Sequence, residues 1–127
     1  MSTGPVTLDV RGTPPSDLAF EATVDHLRAG GLLAYPTETV YGFGGLCTPE
    51  SVAALAALKP RAAEKPFLVL APSFDAVADL EWSDEARELA EIFWPGAVTL
   101  VLPDPQGRFP AGVRSSTGTV AVRVSPH

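Results

Sequence analysis

The sequence predicts an α/β protein in which helices cover a twisted sheet. Short apolar or alternating stretches, typical of strands, follow one another along the chain with helical stretches between them. Thirteen prolines and 11 glycines separate these stretches, and no repeat or low-complexity tract interrupts them. At 127 residues, with 46% hydrophobic and 19% charged residues, the chain is expected to bury one core, as a single domain over residues 1–127.

The first elements follow from local patterns. Residues 6–11 alternate apolar and polar side chains and predict a strand. Ser16 or Asp17 can cap a helix that runs to Arg28, because short polar side chains accept hydrogen bonds from the first free N–H groups of a helix. The apolar segment 32–36 ends in proline and predicts a buried strand.

The middle of the chain begins with a helix start at Thr48 and Pro49, where threonine is the N-cap and proline takes the first helical position. This helix is expected to stop before Pro60, since the residue preceding a proline disfavours helical dihedrals. Residues 67–71 predict a short apolar strand, and Ser73 opens a further helical stretch.

The last elements are a second serine-capped helix and two strands. The helix opens at Ser83 and carries acidic residues early, where the helix dipole favours them. Residues 97–102 are rich in β-branched side chains and predict a strand, residues 103–112 a loop, and residues 119–124 a final alternating strand.

Composition and charge exclude several classes of protein. No apolar run approaches the roughly 20 residues that cross a bilayer, and the first residues lack a basic region followed by an apolar one, so we expect a cytoplasmic protein that does not bind membranes. A net charge of −6 disfavours a broad phosphate-binding surface. The segments 59–74 and 92–127 are nevertheless locally basic, as expected around a pocket for an anionic small molecule.

The sequence predicts no metal site made of protein ligands. Cys47 is the only cysteine, which excludes a disulfide framework and a cysteine cage. His26 lies in a helical stretch and His127 is the last residue of the sequence, so neither is a good metal ligand.

Residues 36–45, PTETVYGFGG, follow a predicted strand and form a turn rich in hydroxyl groups and glycine. Thr37 and Thr39 can donate and accept hydrogen bonds, Tyr41 offers an amphipathic ring, and the glycines allow a ligand to approach the backbone closely. The alternative is a tight loop that needs glycine for its dihedrals alone.

Two further features could bind anions. Lys59, Arg61 and Lys65 lie in one loop, where a guanidinium and an ammonium could grip a polyphosphate together. The alternative is a solvated helix end. In the last strand, Thr119 and Arg123 share a face opposite three valines, so that Arg123 either contacts solvent or points into a cleft.

These features, in this order, resemble the YrdC-type L-threonylcarbamoyladenylate synthase family. The stretches that carry the resemblance are AYPTETVYGFGG, LKPR with KPFLVL, WPGAVTLVLP and TVAVRVSPH, which together cover most of residues 25–127. The resemblance implies a YrdC-like domain, with a twisted, open mixed sheet and flanking helices around a positively charged cavity.

The resemblance also implies an activity and partners. Members of the family condense L-threonine, bicarbonate or CO2 and ATP, with release of pyrophosphate, to the intermediate for threonylcarbamoyladenosine in tRNA. ATP would be a substrate, accompanied by Mg²⁺. Binding of tRNA or double-stranded RNA and a downstream tRNA-modifying transferase complex are further implied partners.

Site residues follow from the same resemblance, position by position. Thr39 and Arg123 would bind L-threonine, the latter through its carboxylate, with Thr37 and Tyr41 as possible pocket residues. Lys59 and Arg61 would bind the nucleotide phosphates and act in catalysis. Lys65 and Thr119 would make further contacts to ATP.

Two departures from the family pattern stand out. Position 70 is leucine where some members have a histidine, which removes one possible contact to threonine. The family's Ser-x-Asn motif would lie beyond the strand of Arg123, so we expect the domain to lack its C-terminal part. An RNA-binding module of the same fold and a related carbamoyl-transfer domain are the alternative functions.

Overall fold

The computed structural model of the chain describes Thr7 and residues 17–37, 41–58 and 66–126. Within this part, three α-helices, one 3-10 helix and five strands follow one another. In chain order they are α1 (Asp17–Arg28), β1 (Leu33–Pro36), β2 (Tyr41–Gly44), α2 (Pro49–Leu58), β3 (Val69–Ala71), the 3-10 helix (Phe74–Val77), α3 (Asp84–Phe93), β4 (Leu100–Pro103) and β5 (Thr119–Val124). No helix of the described part is long and apolar enough to cross a membrane.

The strands form two separate sheets. β1 and β2 pair antiparallel as a two-stranded hairpin, with Leu33 opposite Gly44 and Pro36 opposite Tyr41. The second sheet has the order β3-β5-β4, in which β5 runs parallel to β3 and antiparallel to β4. The predicted α/β fold with an open mixed sheet is therefore confirmed.

The core lies on the valine face of β5. Val120 and Val122 have no exposed surface, and Val124 is 6% exposed. Val77 of the 3-10 helix and Ala90 of α3 belong to the same buried cluster. Alternation along a strand sends every second side chain to one face, so burial of the valines turns Arg123 to the other face.

Two half-buried indoles and one buried carboxylate tie the connections to this core. Trp82 and Trp94 pack edge to face at 5.8 Å, and their indole N–H groups donate to the carbonyls of Val77 and Val98. Asp104, 4% exposed, accepts the backbone N–H groups of Arg108 and Phe109 through its two carboxylate oxygens, each at 3.1 Å. The side chain of Asp104 thereby stabilises the loop after β4 through two hydrogen bonds.

The predicted helices and the last strand agree with the structure. The helix to Arg28, the helix from Pro49, the helix after Ser83 and the strand 119–124 are all confirmed. The predicted strand 6–11 lies outside the described residues, apart from exposed Thr7.

Several boundaries were wrong. The turn predicted within 36–45 contains β2, because Tyr41–Gly44 finds a cross-strand partner in β1 that local pattern does not reveal. The strand predicted at 97–102 begins at Leu100, since the preceding Gly96 N–H bonds instead to the carbonyl of Val124, at 2.8 Å. The strand predicted at 67–71 begins at Val69, and the stretch after Ser73 is a single 3-10 turn.

Candidate functional site

A cavity of about 300 Å³ lies between the β1–β2 hairpin, α2 and the β3–β5 edge of the larger sheet; we call it the hairpin cavity. Its size is at the lower end of the range for small-molecule sites. The hairpin contributes Tyr35, Thr37 and Tyr41–Gly44, the next segment Gly45–Cys47, α2 Ser51, Val52 and Leu55, the sheet side Phe67–Leu70 and Arg123, and a loop Val113.

The hairpin wall depends on glycine at position 44. A Cβ on Gly44 would lie 2.7 Å from the hydroxyl oxygen of Tyr35, so the tyrosine ring fills the space that a side chain would need. Desolvation raises the pKa of the Tyr35 hydroxyl above its ordinary value. Thr37 and Tyr41 lie on either side of the hairpin connection and both line the cavity.

The α2 wall begins with a capped helix end. Thr48 accepts the N–H of Ser51 through its side-chain oxygen at 3.2 Å and that of Val52 through its carbonyl at 2.9 Å. Ser51 is 1% exposed, and its hydroxyl oxygen has no hydrogen-bond partner among the described residues. Cys47, just before the cap, also lines the cavity.

The sheet wall presents a cation. Arg123 is half-buried and is among the residues that line the cavity, so it contacts the cavity while keeping part of its surface in solvent. Its Nε and Nη2 groups donate to the hydroxyl oxygen of Thr99, at 3.2 and 2.9 Å. On its other side, Arg123 is paired with Leu70 of β3 in the parallel register.

The structure therefore brings three of the predicted site residues, Thr37, Tyr41 and Arg123, to one cavity. Thr119 lies four residues away at the start of β5, about 13 Å along the strand, and does not line this cavity. Its hydroxyl is hydrogen-bonded to that of Ser115 at 2.8 Å.

The other predicted ligands, Thr39, Lys59, Arg61 and Lys65, lie outside the described residues. The ligand-binding roles of all these residues stay predictions.

Sequence reasoning missed two residues that line the cavity, Cys47 and Ser51, and one that contacts its arginine, Thr99. Thr99 belongs to WPGAVTLVLP, one of the stretches that carry the family resemblance, but its contact to Arg123 depends on strand pairing across 24 residues. The sequence identified Ser51 only as part of a helix, and Cys47 only as a small residue. Each could have been found only by knowing which elements meet.

A second cavity, of about 580 Å³, lies near the ends of α3 and β5. It is larger and mainly apolar, with Phe74, Trp94 and Pro95 among its lining residues. None of the predicted site residues lines it, so we take the hairpin cavity as the candidate site on its chemistry rather than its size.

The described residues include no group of three or more His, Cys, Asp or Glu side chains that could hold a metal ion. His26 donates its Nε2–H to the carbonyl of Leu32 at 2.8 Å, which joins α1 to the start of β1.

The fold and cavity define an α/β domain with a cavity of about 300 Å³ whose wall carries an arginine. The sequence profile of the Sua5/YciO/YrdC family, described under the heading "Telomere recombination", matches residues 25–127. The chain belongs to this family.

Two relatives illustrate the similarity. Threonylcarbamoyl-AMP synthase of Marinobacter nauticus is 39% identical over 118 residues, which cover 89% of this chain and 61% of the relative. Threonylcarbamoyl-AMP synthase of Pyrococcus abyssi is 40% identical over 104 residues, which cover 80% of this chain and 30% of the relative. The names of these relatives do not favour the RNA-binding or carbamoyl-transfer alternatives.

Solved structures agree. Pyrococcus abyssi Sua5 complexed with L-threonine is 35% identical, with a TM-score of 0.81 over 89% of this chain and 34% of that one. Escherichia coli YciO, at 18% identity, has a TM-score of 0.77 over 87% of this chain and 55% of that one, and shows the fold alone. The chain thus spans about a third to three-fifths of the length of these proteins.

Proposed function

We propose that this chain is the part of a threonylcarbamoyl-AMP synthase that binds L-threonine, and that it forms one YrdC-like domain. The complete enzyme would be a nucleotidyltransferase that joins L-threonine, bicarbonate or CO2 and ATP into L-threonylcarbamoyl-AMP, with release of pyrophosphate. The observation that carries the proposal is Arg123 in the wall of a ligand-sized cavity, in a chain 39–40% identical to proteins of that name.

The reaction needs two steps. The amine of threonine forms a C–N bond to the carbon of bicarbonate with loss of water, or adds to CO2 with loss of a proton, and gives a carbamate. An oxygen of the carbamate then bonds to the α-phosphorus of ATP as the bond to pyrophosphate breaks. No side chain needs to become covalently attached, so the contribution of the protein is to hold two anions together and to neutralise charge on the leaving group.

Each predicted residue has a place in this scheme. The guanidinium of Arg123 would hold the threonine carboxylate, which suits a planar fork of N–H donors, and Thr39 would make a further contact to threonine. Lys59, Arg61 and Lys65 would neutralise the phosphates, with Thr119 as another nucleotide contact. Mg²⁺ bound to the nucleotide would supply additional positive charge at the phosphates.

The fit of the cavity supports threonine rather than the whole nucleotide as its occupant. A volume of about 300 Å³ accommodates an amino acid, while hydroxyl-bearing Thr37 and Tyr41 line it from the hairpin. ATP would extend beyond this cavity, and Lys59 and Arg61 stay its predicted phosphate contacts. Transfer of the product to tRNA, by a downstream transferase complex, would complete the modification.

The first test is pyrophosphate release measured with ATP, L-threonine and bicarbonate, each omitted in turn, together with calorimetric binding of L-threonine. In the complete enzyme we expect release only when all three are present. In this chain we expect Arg123→Ala to weaken the binding of L-threonine about 10- to 100-fold, as loss of a charged hydrogen-bonded pair predicts. Arg61→Ala should abolish release while the protein remains folded.

The matched control is Arg114→Ala, which removes an exposed arginine that does not line the cavity. Its response to L-threonine should equal that of the unaltered protein. Absence of L-threonine binding, or equal effects of the Arg114 and Arg123 substitutions, would contradict the proposed function.

A further inference from the structure

The side chain of Thr99 contacts Arg123 along one edge of the guanidinium. Its hydroxyl oxygen accepts from Nε at 3.2 Å and from Nη2 at 2.9 Å. Two donors of one planar group converge on one acceptor, so this contact restrains the plane of the guanidinium and not only its distance. The direction in which the other N–H groups of Arg123 can point is thereby limited.

The register of the sheet explains why the contact forms. Leu70 of β3 is the partner of Arg123, and on the other side Leu100 of β4 pairs with Val122. Thr99, immediately before β4, is thus placed across from Arg123. Leu70 brings no side-chain acceptor, whereas Thr99 brings an oxygen, so the guanidinium lies towards Thr99.

The chemistry of the acceptor matters as well. Aspartate or glutamate at position 99 would hold the guanidinium but would also neutralise it, and a second carboxylate would then be bound less strongly. The threonine hydroxyl is neutral and does not cancel the charge that attracts an anionic ligand. Threonine is also β-branched, which restricts χ1 and defines the position of the oxygen more narrowly than serine would.

We propose that Thr99 is a positioning residue that orients Arg123 for the carboxylate of the amino-acid substrate in the hairpin cavity. This inference rests on the proposed function, because it assigns that carboxylate to Arg123. An arginine with many rotamers loses conformational freedom when it grips a ligand, and a contact that exists before binding reduces that loss.

The test compares two ligands. L-threonine carries the carboxylate, and L-threoninol has a CH2OH group in its place. Calorimetry is carried out on the unaltered chain and on Thr99→Val, Thr99→Ser and the control Thr117→Val, which removes the hydroxyl of an exposed loop threonine. Because Thr99 is exposed and valine has nearly the same shape, the fold is expected to persist, as circular dichroism would verify.

We expect Thr99→Val to weaken L-threonine binding about 5- to 20-fold and to leave L-threoninol binding within about twofold, the range for loss of one hydrogen-bonded contact to a charged group. Thr99→Ser should restore most of the affinity, and Thr117→Val should have no effect. In the Arg123→Ala background, Thr99→Val should add nothing, since its effect passes through the guanidinium.

The results separate this inference from the proposed function. Should the unaltered chain bind no L-threonine, both are overturned. Should it bind L-threonine, with unchanged affinity in Thr99→Val or with equal loss for both ligands, only the positioning role is overturned. If Thr99→Val failed to fold, Thr99→Ser with full loss of affinity would equally overturn it, because serine retains the hydroxyl.

Discussion

At the level of single residues, the pKa of the Cys47 thiol depends on its position in the wall of the hairpin cavity. The residue as a whole is exposed, yet it lines the cavity, where desolvation raises the pKa of its thiol and the charge of Arg108 opposes that shift. Thiolate is the reactive form of cysteine, so the raised pKa lowers its reactivity near neutral pH. Cys47 is therefore a chemical probe of the cavity rather than a candidate nucleophile.

Alkylation of Cys47 by iodoacetamide should reveal this shift. The pH at which the rate is half-maximal is expected to lie above that of the same chain in concentrated urea, which should be near the ordinary thiol value of about 8.5. Because burial disfavours the thiolate, the folded state favours the neutral form of Cys47. The contribution of this thiol to stability is therefore complete below its pKa in the unfolded chain, and it is lost as the pH rises through its pKa in the folded chain. Cys47→Ser serves as the blank, and coincident pH profiles would contradict the prediction.

At the scale of elements, two serines begin helical segments but contribute differently. Ser83 accepts the N–H of Ala86 at 3.1 Å through its side chain and so caps α3. Ser73 precedes the 3-10 helix in extended conformation and makes no such bond. The same residue type in the same sequence position therefore has an energetic role in one case and not in the other.

Substitution of the two serines tests this difference. Ser83→Ala should lower the free energy of unfolding by about 1 kcal/mol, the usual cost of losing an N-cap. Ser73→Ala, its matched control, should change it by less than about 0.5 kcal/mol, as for other surface changes. Urea unfolding followed by circular dichroism measures both, and equal losses would contradict the assignment of the cap.

The elements also show what the sequence can and cannot predict. Caps and prolines act within a few residues, so the starts of α2 and α3 could be predicted, and the alternating valines predicted β5 over 119–124. β2 could not, because two of its four residues are glycine, which is depleted in strands, and its pairing with β1 is not visible in the local pattern. The same limit applies to the site, where Arg123 was found from its chemistry, but Thr99 and Ser51 depend on which elements meet in space.

For the molecule as a whole, the two sheets differ in how many of their strand residues are buried. β5 has strand neighbours on both sides and two fully buried valines, whereas in the hairpin strands Gly44 is the only buried residue. Tyr41 and Phe43 of the hairpin are largely exposed. Segments with few buried apolar contacts open at a lower free-energy cost than the core does.

Amide hydrogen exchange should therefore divide the molecule in two. The amides of Val120 and Val122 are expected to exchange only through global unfolding, and those of the β1–β2 hairpin at least about tenfold faster. Addition of L-threonine should slow the hairpin amides selectively, because ligand in the hairpin cavity joins the hairpin to the larger sheet. Equal protection of both sheets without ligand would contradict this view.

The strand order β3-β5-β4 has a consequence for how the protein is made. β5 lies between its neighbours in space but follows both of them in the chain. As the chain leaves the ribosome, β3 and β4 emerge with their facing edges unpaired, and neither can pair in this sheet until residues 119–124 are available. Arg123 belongs to that same strand, so the pairing that completes the sheet also brings the cation into the cavity wall.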